Sequence, residues 1–90
     1  MKINTVFLVP FAKFGIGDSF EIMNDTKFID LVILISKKHG NEFEKMLISG
    51  VNNEIHIKDN VMILHKGKTV KLSDKLSEGE YVFCAVIAGG

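Results

Sequence analysis

One helical stripe, bounded on both sides by strand-like segments, constrains this chain more than any other feature. Its apolar residues are separated by three, one and three positions, the spacing of a helix with one buried face. Asp25 or Thr26 can accept hydrogen bonds from the free backbone N–H groups at its start. Gly40 is placed to end it in a left-handed conformation. The stripe consists of Phe28, Leu31, Val32 and Ile35. It predicts one main helix.

The residues before this helix predict a β-hairpin. Ile3 to Val9 is rich in β-branched and aromatic side chains and is followed by Pro10, as the end of a strand often is. Lys13 to Asp18 contains two glycines and is typical of a turn. Ser19 to Met23 then alternates polar and apolar residues, the pattern of a strand with one buried face. Two strands joined by such a turn are expected to pair antiparallel.

The residues after the helix are again mostly strand-like. Asn41 to Leu47 predicts a short second helix. The strand-like runs that follow are Ile55 to Ile57, Val61 to Leu64, Thr69 to Leu72 and Tyr81 to Val86, with a tight turn at Lys66 to Lys68. Because helix and strands are segregated along the chain, we expect an α+β fold. A hairpin, a crossover helix and further strands, the last beside the first, predict a β-grasp: one domain over residues 1–90 with a mixed sheet of about four to five strands.

Composition excludes several classes of function. Eleven lysines balance eleven acidic residues, and arginine is absent, so the chain lacks the positive charge that nucleic-acid binding requires. The single cysteine, Cys84, excludes an internal disulfide or a four-cysteine metal cage. No apolar run approaches the length of a membrane span, and the first residues lack the cleavage site of a signal peptide. We therefore expect a cytoplasmic protein without nucleic-acid, membrane or metal ligands.

The glycine pair Gly89-Gly90 follows the last predicted strand almost directly. A carboxylate at Gly90 would be a poor electrophile, but ATP can convert a carboxylate into an acyl-adenylate that sulfur or nitrogen nucleophiles attack. Glycine lacks Cβ and therefore tolerates close walls and unusual φ values. Extended residues span roughly 3.3–3.6 Å each, so Val86 to Gly90 could thread a tunnel of about 15 Å. Such an end is suited to delivering Gly90 into another enzyme.

The end of the chain resembles the MoaD/ThiS family of sulfur carriers. Members of that family show a Leu-x-x-Gly-acidic-x-Val stretch that leads into a terminal Gly-Gly. Leu76, Gly79, Glu80 and Val82 occupy those places here. The length and the Ile87-Ala88-Gly89-Gly90 ending are most similar to the small subunit of molybdopterin synthase. Two departures are Ala85-Val86, where that subunit often has two prolines, and Gly50 to Asn60, which looks like an inserted hairpin.

The resemblance implies a carrier rather than an enzyme with its own catalytic side chains. A ubiquitin-activating-type enzyme would use ATP to adenylate Gly90, a sulfur donor would form the thiocarboxylate, and Gly89 would allow passage. A larger, MoaE-like synthase subunit would then receive the sulfur for molybdopterin synthesis, with no cofactor bound to the chain itself. The expected contacts with partners are Phe83, Cys84 and Ala88.

Several alternatives stay open. Small archaeal modifier proteins, which couple to lysines, share this fold and ending, and thiazole or tRNA carriers do similar chemistry. An interaction module with an idle tail is a third possibility.

Individual side chains also have structural interpretations. Cys84 is more typical of strand packing than of sulfur relay. His39, His56 and His65 lack metal-ligand spacing. Ser73 and Ser77 are expected to be turn residues, because no histidine close in sequence could activate them. A further group of side chains could serve a basic or aromatic surface but is more typical of core and solvated edge. That group is Phe11, Phe14, Lys66, Lys68 and Lys71.

Overall fold

The structure is a computed structural model, and it describes residues 1–86, with only the backbone described for Val51. The strands and helices follow one another in the order that the sequence predicts, with one additional strand and a 3-10 helix. The elements are β1 (Lys2–Phe7), a 3-10 helix (Phe11–Phe14), β2 (Ser19–Glu21), α1 (Phe28–His39), α2 (Asn41–Leu47), β3 (Ile48–Val51), β4 (Glu54–Ile57), β5 (Val61–His65), β6 (Lys68–Thr69) and β7 (Gly79–Ala85).

Five strands form a mixed sheet in the order β2-β1-β7-β5-β6. β1 and β7 pair parallel, with Ile3 opposite Gly79 and Phe7 opposite Phe83, and the other neighbours pair antiparallel. The parallel pair needs a long crossover, which contains α1. The prediction of an α+β fold with a mixed sheet of four to five strands and one main helix is confirmed. β7, the last strand, lies at the centre of the sheet.

The start of α1 differs from the predicted cap. Neither Asp25 nor Thr26 caps the helix, and the Thr26 hydroxyl donates instead to the carbonyl of Met23 at 2.7 Å. The first helical N–H groups, those of Phe28 and Ile29, donate to main-chain carbonyls of the loop before β7. Because this loop is far along the chain, a cap of this kind has no local sequence signal. The prediction of a side-chain cap was wrong for that reason.

The end of α1 confirms its prediction. Gly40 has a φ of +96°, and its N–H donates to the carbonyl of Ser36 at 2.7 Å. Glycine adopts this backbone conformation without the steric cost that a Cβ imposes. The chain then turns directly into α2, whose Phe43 and Leu47 are fully buried. The second helix therefore covers the sheet beside the first.

Two hairpins account for most of the remaining chain. β3 and β4 form a separate two-stranded sheet whose turn residues, Asn52 and Asn53, both have positive φ. β5 and β6 are joined by Lys66 and Gly67, which also have positive φ. Two consecutive residues with positive φ match the right-handed twist of the strands that they connect. The extra hairpin that the sequence suggested between residues 50 and 60 is present, although it begins at Ile48.

β6 is shorter than predicted. The sequence predicts a strand from Thr69 to Leu72, but β6 ends at Thr69. The carboxylate of Asp74 accepts a hydrogen bond from the backbone N–H of Lys71 at 2.9 Å, and the N–H of Asp74 donates to the carbonyl of Lys71. Such local bonds compete with strand pairing. They turn the chain away from the sheet edge.

Phenylalanine rings fill the centre of the core. Phe83 of β7 lies within 6.0 Å, centroid to centroid, of Phe7, Phe11, Phe28 and Phe43. Phe11 is fully buried, and Phe14, which is half-buried, packs on Phe43 at 5.3 Å. The sequence allowed Phe11 and Phe14 to form an aromatic surface for nucleic acid. Their packing against the core contradicts that alternative.

Candidate functional site

The central position of β7 determines where the end of the chain leaves the domain. The N–H of Ala85 donates to the carbonyl of Val9 at 3.3 Å, and the N–H of Val86 donates to the carbonyl of Asn60 at 3.0 Å. Hydrogen bonds from both sides therefore hold the chain as far as Val86. Three of the predicted site residues, Ala88, Gly89 and Gly90, lie outside the described residues.

Alternation along β7 separates the two other candidate contact residues. Phe83 points to the helix side of the sheet and is completely buried. Its side chain cannot contact a partner, so the prediction of a contact at Phe83 was wrong: strand alternation puts Phe83 on the same buried face as Tyr81. Cys84 points to the opposite face and is half-buried, with Sγ 3.5 Å from the carbonyl of Met62. Of the pair, Cys84 remains the candidate contact.

The face of the sheet opposite α1 carries an apolar surface near the end of β7. The pairing puts Val82 between Val6 and Leu64, and Cys84 opposite Met62. All five side chains are half-buried on a face that no helix covers in the described part of the chain. We call these five residues the open face. Leu8 and Val86, which follow β1 and β7, are 49% and 43% exposed. The open face thus offers an apolar docking area beside the exit of the chain.

A charged cluster holds the β1–β2 loop against the end of α1. Asp18, whose side chain is only 7% exposed, bonds Lys38 at 2.5 Å and His39 at 2.7 Å. Its backbone N–H donates to the Thr5 hydroxyl at 2.8 Å. Burial acts to raise the pKa of Asp18, but the hydrogen bonds and positive charges of Lys38 and His39 lower it below its ordinary value. These contacts fix the β1–β2 loop to the end of α1, so we interpret the cluster as structural.

Because the folded pKa of Asp18 is depressed, its ionised form stabilises the fold above the unfolded pKa, near 3.8, and this contribution is lost as pH falls through the folded pKa. We expect Asp18→Asn to lower the free energy of unfolding at pH 7 by about 1–3 kcal/mol, since it removes a buried charge from its partners. The difference in the free energy of unfolding between the unaltered protein and Asp18→Asn should become smaller below pH 4. Urea unfolding at several pH values measures this, with Asp25→Asn as control, because that carboxylate is exposed. A difference in the free energy of unfolding that stays constant with pH would contradict a stabilising role for the ionised Asp18 carboxylate.

His65 and Ser77 form a pair that the sequence interpretation missed. His65 Nε2 lies 2.6 Å from Ser77 Oγ, and His65 Nδ1 lies 2.9 Å from the carbonyl oxygen of Glu80. No histidine lies close to Ser77 in sequence, as noted above, but the fold brings His65, twelve positions earlier, within hydrogen-bond distance. The two residues are brought together by the pairing of β5 with β7, which local spacing does not reveal. The sequence feature that bears on this pair is the glycine at position 79, because a Cβ there would lie 3.2 Å from His65 Cε1.

The described residues hold neither a metal cluster nor a membrane helix. His39 is paired with Asp18, His65 with Ser77, and His56 is exposed on β4. Within residues 1–86, no group of three or more histidine, cysteine or acidic side chains is arranged to hold a metal ion. Neither α1 nor α2, the helices of that same part of the chain, is long and apolar enough to cross a membrane.

The parallel central pair β1–β7, the antiparallel neighbours and the crossover helix define a ubiquitin-like β-grasp fold. Two solved structures share it at a TM-score of 0.74 each. The crystal structure of SAMP1 from Haloferax volcanii is 15% identical, with all of both chains covered. The solution structure of the Haloferax volcanii HVO 2177 protein is 16% identical, and the match covers all of this chain and 87% of that one. No family model and no curated protein matches the sequence.

Proposed function

We propose that this chain is a ubiquitin-like sulfur carrier that acts through the carboxylate of Gly90. A ubiquitin-activating-type enzyme would use ATP to form the Gly90 acyl-adenylate and release pyrophosphate. A sulfur donor would then displace the adenylate and leave a thiocarboxylate. The observation that carries the proposal is the central strand β7, which is bonded on both sides and leads, within four residues of Val86, to Gly89-Gly90.

The structure supplies a physical reason for the Leu-x-x-Gly-acidic-x-Val residues. Leu76 is 6% exposed and belongs to the core. Gly79 begins β7 with a φ of +125°, a conformation that favours glycine. Val82 lies on the open face. These positions therefore anchor and align the last strand, which supports a role for the residues that follow it.

The open face supports a partner that does the chemistry. A half-buried apolar area beside the chain's exit suits an enzyme that must hold the domain while its active site receives Gly90. The docking contribution would come from Cys84 and its neighbours on the open face, and not from Phe83. In this arrangement the carrier needs no acid or base of its own for activation.

The finer proposal is that the acceptor is a pterin precursor, with this chain as the small subunit beside a larger, MoaE-like subunit of molybdopterin synthase. The Ile87-Ala88-Gly89-Gly90 ending and the length favour this pathway over a thiazole or tRNA carrier. Gly90 would carry the sulfur, and Gly89 would pass the narrow entrance of the partner. Both would work in the cytoplasm, where the activating enzyme and ATP are found.

The second candidate is a protein modifier that forms an isopeptide bond through Gly90. The fold shared with SAMP1 is compatible with this candidate. Both candidates begin with the same acyl-adenylate and differ in the nucleophile, which is sulfur for a carrier and a lysine amine for a modifier. An interaction module with an idle tail predicts neither product.

Intact-mass analysis of the protein purified from its native host distinguishes these outcomes. We expect a species in which one oxygen of the Gly90 carboxylate is replaced by sulfur, and none in a variant that lacks Gly90. A control with Ser73→Ala, far from β7's end on the chain, should be loaded normally. Isopeptide-linked products that require Gly90 would favour the modifier. An unmodified carboxylate in the presence of the activating enzyme and ATP would contradict both.

A further inference from the structure

The hydrogen bonds of His65 determine its tautomer. A backbone carbonyl oxygen only accepts hydrogen bonds, so Nδ1, 2.9 Å from the oxygen of Glu80, must carry a proton. In the neutral ring Nε2 is then the acceptor, and the Ser77 hydroxyl, 2.6 Å away, donates to it. A serine hydroxyl that donates to an imidazole, held from behind through Nδ1–H, is the arrangement of a base-activated nucleophile.

The imidazole is held firmly in this orientation. Its ring stacks on that of Tyr81 at 4.0 Å between centroids, with the planes 2° apart. A Cβ at Gly79 would lie only 3.2 Å from His65 Cε1, so glycine leaves the space that the ring occupies. The backbone N–H of Ser77 donates to the Tyr81 hydroxyl at 3.0 Å. One buried tyrosine therefore fixes both members of the pair.

The pair opens into a cavity of about 440 Å³ with a positive lining. Three lysines, Lys66, Lys68 and Lys75, line it together with one acidic residue, Asp74. The ammonium group of Lys75 is already paired with the carboxylate of Asp25 at 3.4 Å, so Lys66 and Lys68 supply the excess of positive charge. Asp74 already accepts a hydrogen bond from the backbone of Lys71. Ammonium groups in excess around a nucleophile favour an anionic ligand and stabilise negative charge that develops during attack.

We infer that Ser77 is a nucleophile that accepts an acyl group from small anionic acyl donors of the acyl phosphate class. Ser77 Oγ forms a bond to the carbonyl carbon of the donor while His65 Nε2 takes the hydroxyl proton. The bond between that carbon and the phosphate oxygen then breaks, and phosphate leaves with the electron pair and takes the proton from His65 Nε2. The product is an ester on Ser77, and water attack on this ester returns free serine and the carboxylic acid.

This site is separate from the proposed role of Gly90. Ser77 and His65 lie beside the start of β7, and the chain leaves the sheet at the other end of that strand, six residues and roughly 20 Å further along. Loss of one activity therefore leaves the other intact. A variant without Gly90 should keep Ser77 reactivity, and a variant without the Ser77 hydroxyl should still be loaded at Gly90.

The test uses acetyl phosphate as the donor. We expect the purified protein to release phosphate and to acquire an acetyl ester at Ser77 at least about 100-fold faster than at Ser73, within the range that a general base contributes. Peptide mapping after acid quench locates the ester. Hydroxylamine removes it but leaves acetyl-lysine, so reaction at the neighbouring lysines is counted separately.

Two variants and one control decide the outcome. Ser77→Ala should abolish the hydroxylamine-sensitive acetyl group at position 77, and His65→Asn should slow its formation about 100-fold, since Asn can still donate to Glu80's carbonyl but offers no base. Ser73→Ala, in the same loop, should behave as the unaltered protein. Circular dichroism melts establish that each variant folds. Ser77 acetylation at the rate of Ser73, or at an unchanged rate in folded His65→Asn, would overturn the inference.

Discussion

Phe83→Ala is expected to lower the free energy of unfolding by about 3–5 kcal/mol, because truncation leaves a cavity at the centre of the aromatic core. Phe83 is fully buried and its ring packs on four other phenylalanines. Domains are stable by only about 0.05–0.15 kcal/mol per residue, so the loss is a large share of the total for this chain. Urea unfolding followed by circular dichroism measures it.

Cys84→Ala is the matched control for this prediction. Cys84 is the next residue of β7 but lies half-buried on the open face, where its thiol donates weakly to the carbonyl of Met62. We expect a loss below about 1 kcal/mol, because little apolar area and one weak hydrogen bond are removed. Equal losses for the two variants would show that β7 does not separate a core face from an open face.

Gly17→Ala is expected to destabilise the fold by about 3 kcal/mol or more, because a Cβ at this position would meet main chain rather than a side chain that can move. Gly17 has a φ of +140°, and its added Cβ would lie 1.8 Å from the carbonyl oxygen of Thr5. Such a contact forces the β1–β2 loop away from β1. The loss of stability is measured from the midpoint and slope of urea unfolding.

Gly15→Ala separates the clash from the backbone strain. Gly15 lies in the same loop and also has a positive φ, +116°, but nothing lies within 4 Å of an added Cβ. This variant should lose only the conformational cost, about 1–2 kcal/mol. If Gly17→Ala were no worse than Gly15→Ala, the close approach of the loop to Thr5 would be wrong.

The helical and strand elements were readable from sequence because their signals are local. The stripe from Phe28 to Ile35 repeats at the helical period, and Gly40 is an ordinary helix end, so α1 was predicted almost to its last residue. The side-chain cap at its start failed because distant loop carbonyls, those of Leu72 and Asp74, accept the helical N–H groups. Local periodicity carries no information about hydrogen-bond acceptors that are distant in sequence.

In the candidate site, too, some features could be predicted from the sequence and others could not. The glycine pair and the Leu-x-x-Gly pattern before it are visible in the sequence and led to the prediction that Gly90 is the reactive group. The sequence did not show which face of the sheet each side chain of β7 occupies. Phe83 and Cys84 were expected to share a surface, but the pleat sends them to opposite faces, and the covered face is decided by where α1 packs.

By itself, then, the sequence determined the type and order of the elements, the α+β class and the glycine ending, since each depends on residues a few positions apart. Only the tertiary structure decided that β7 lies between β1 and β5, that Val82 and Cys84 face outward, and that His65 reaches Ser77. Each of these depends on which strands pair and in which register. Pairing joins residues that are distant in the chain, and its energy comes from the whole packed core rather than from any local pattern.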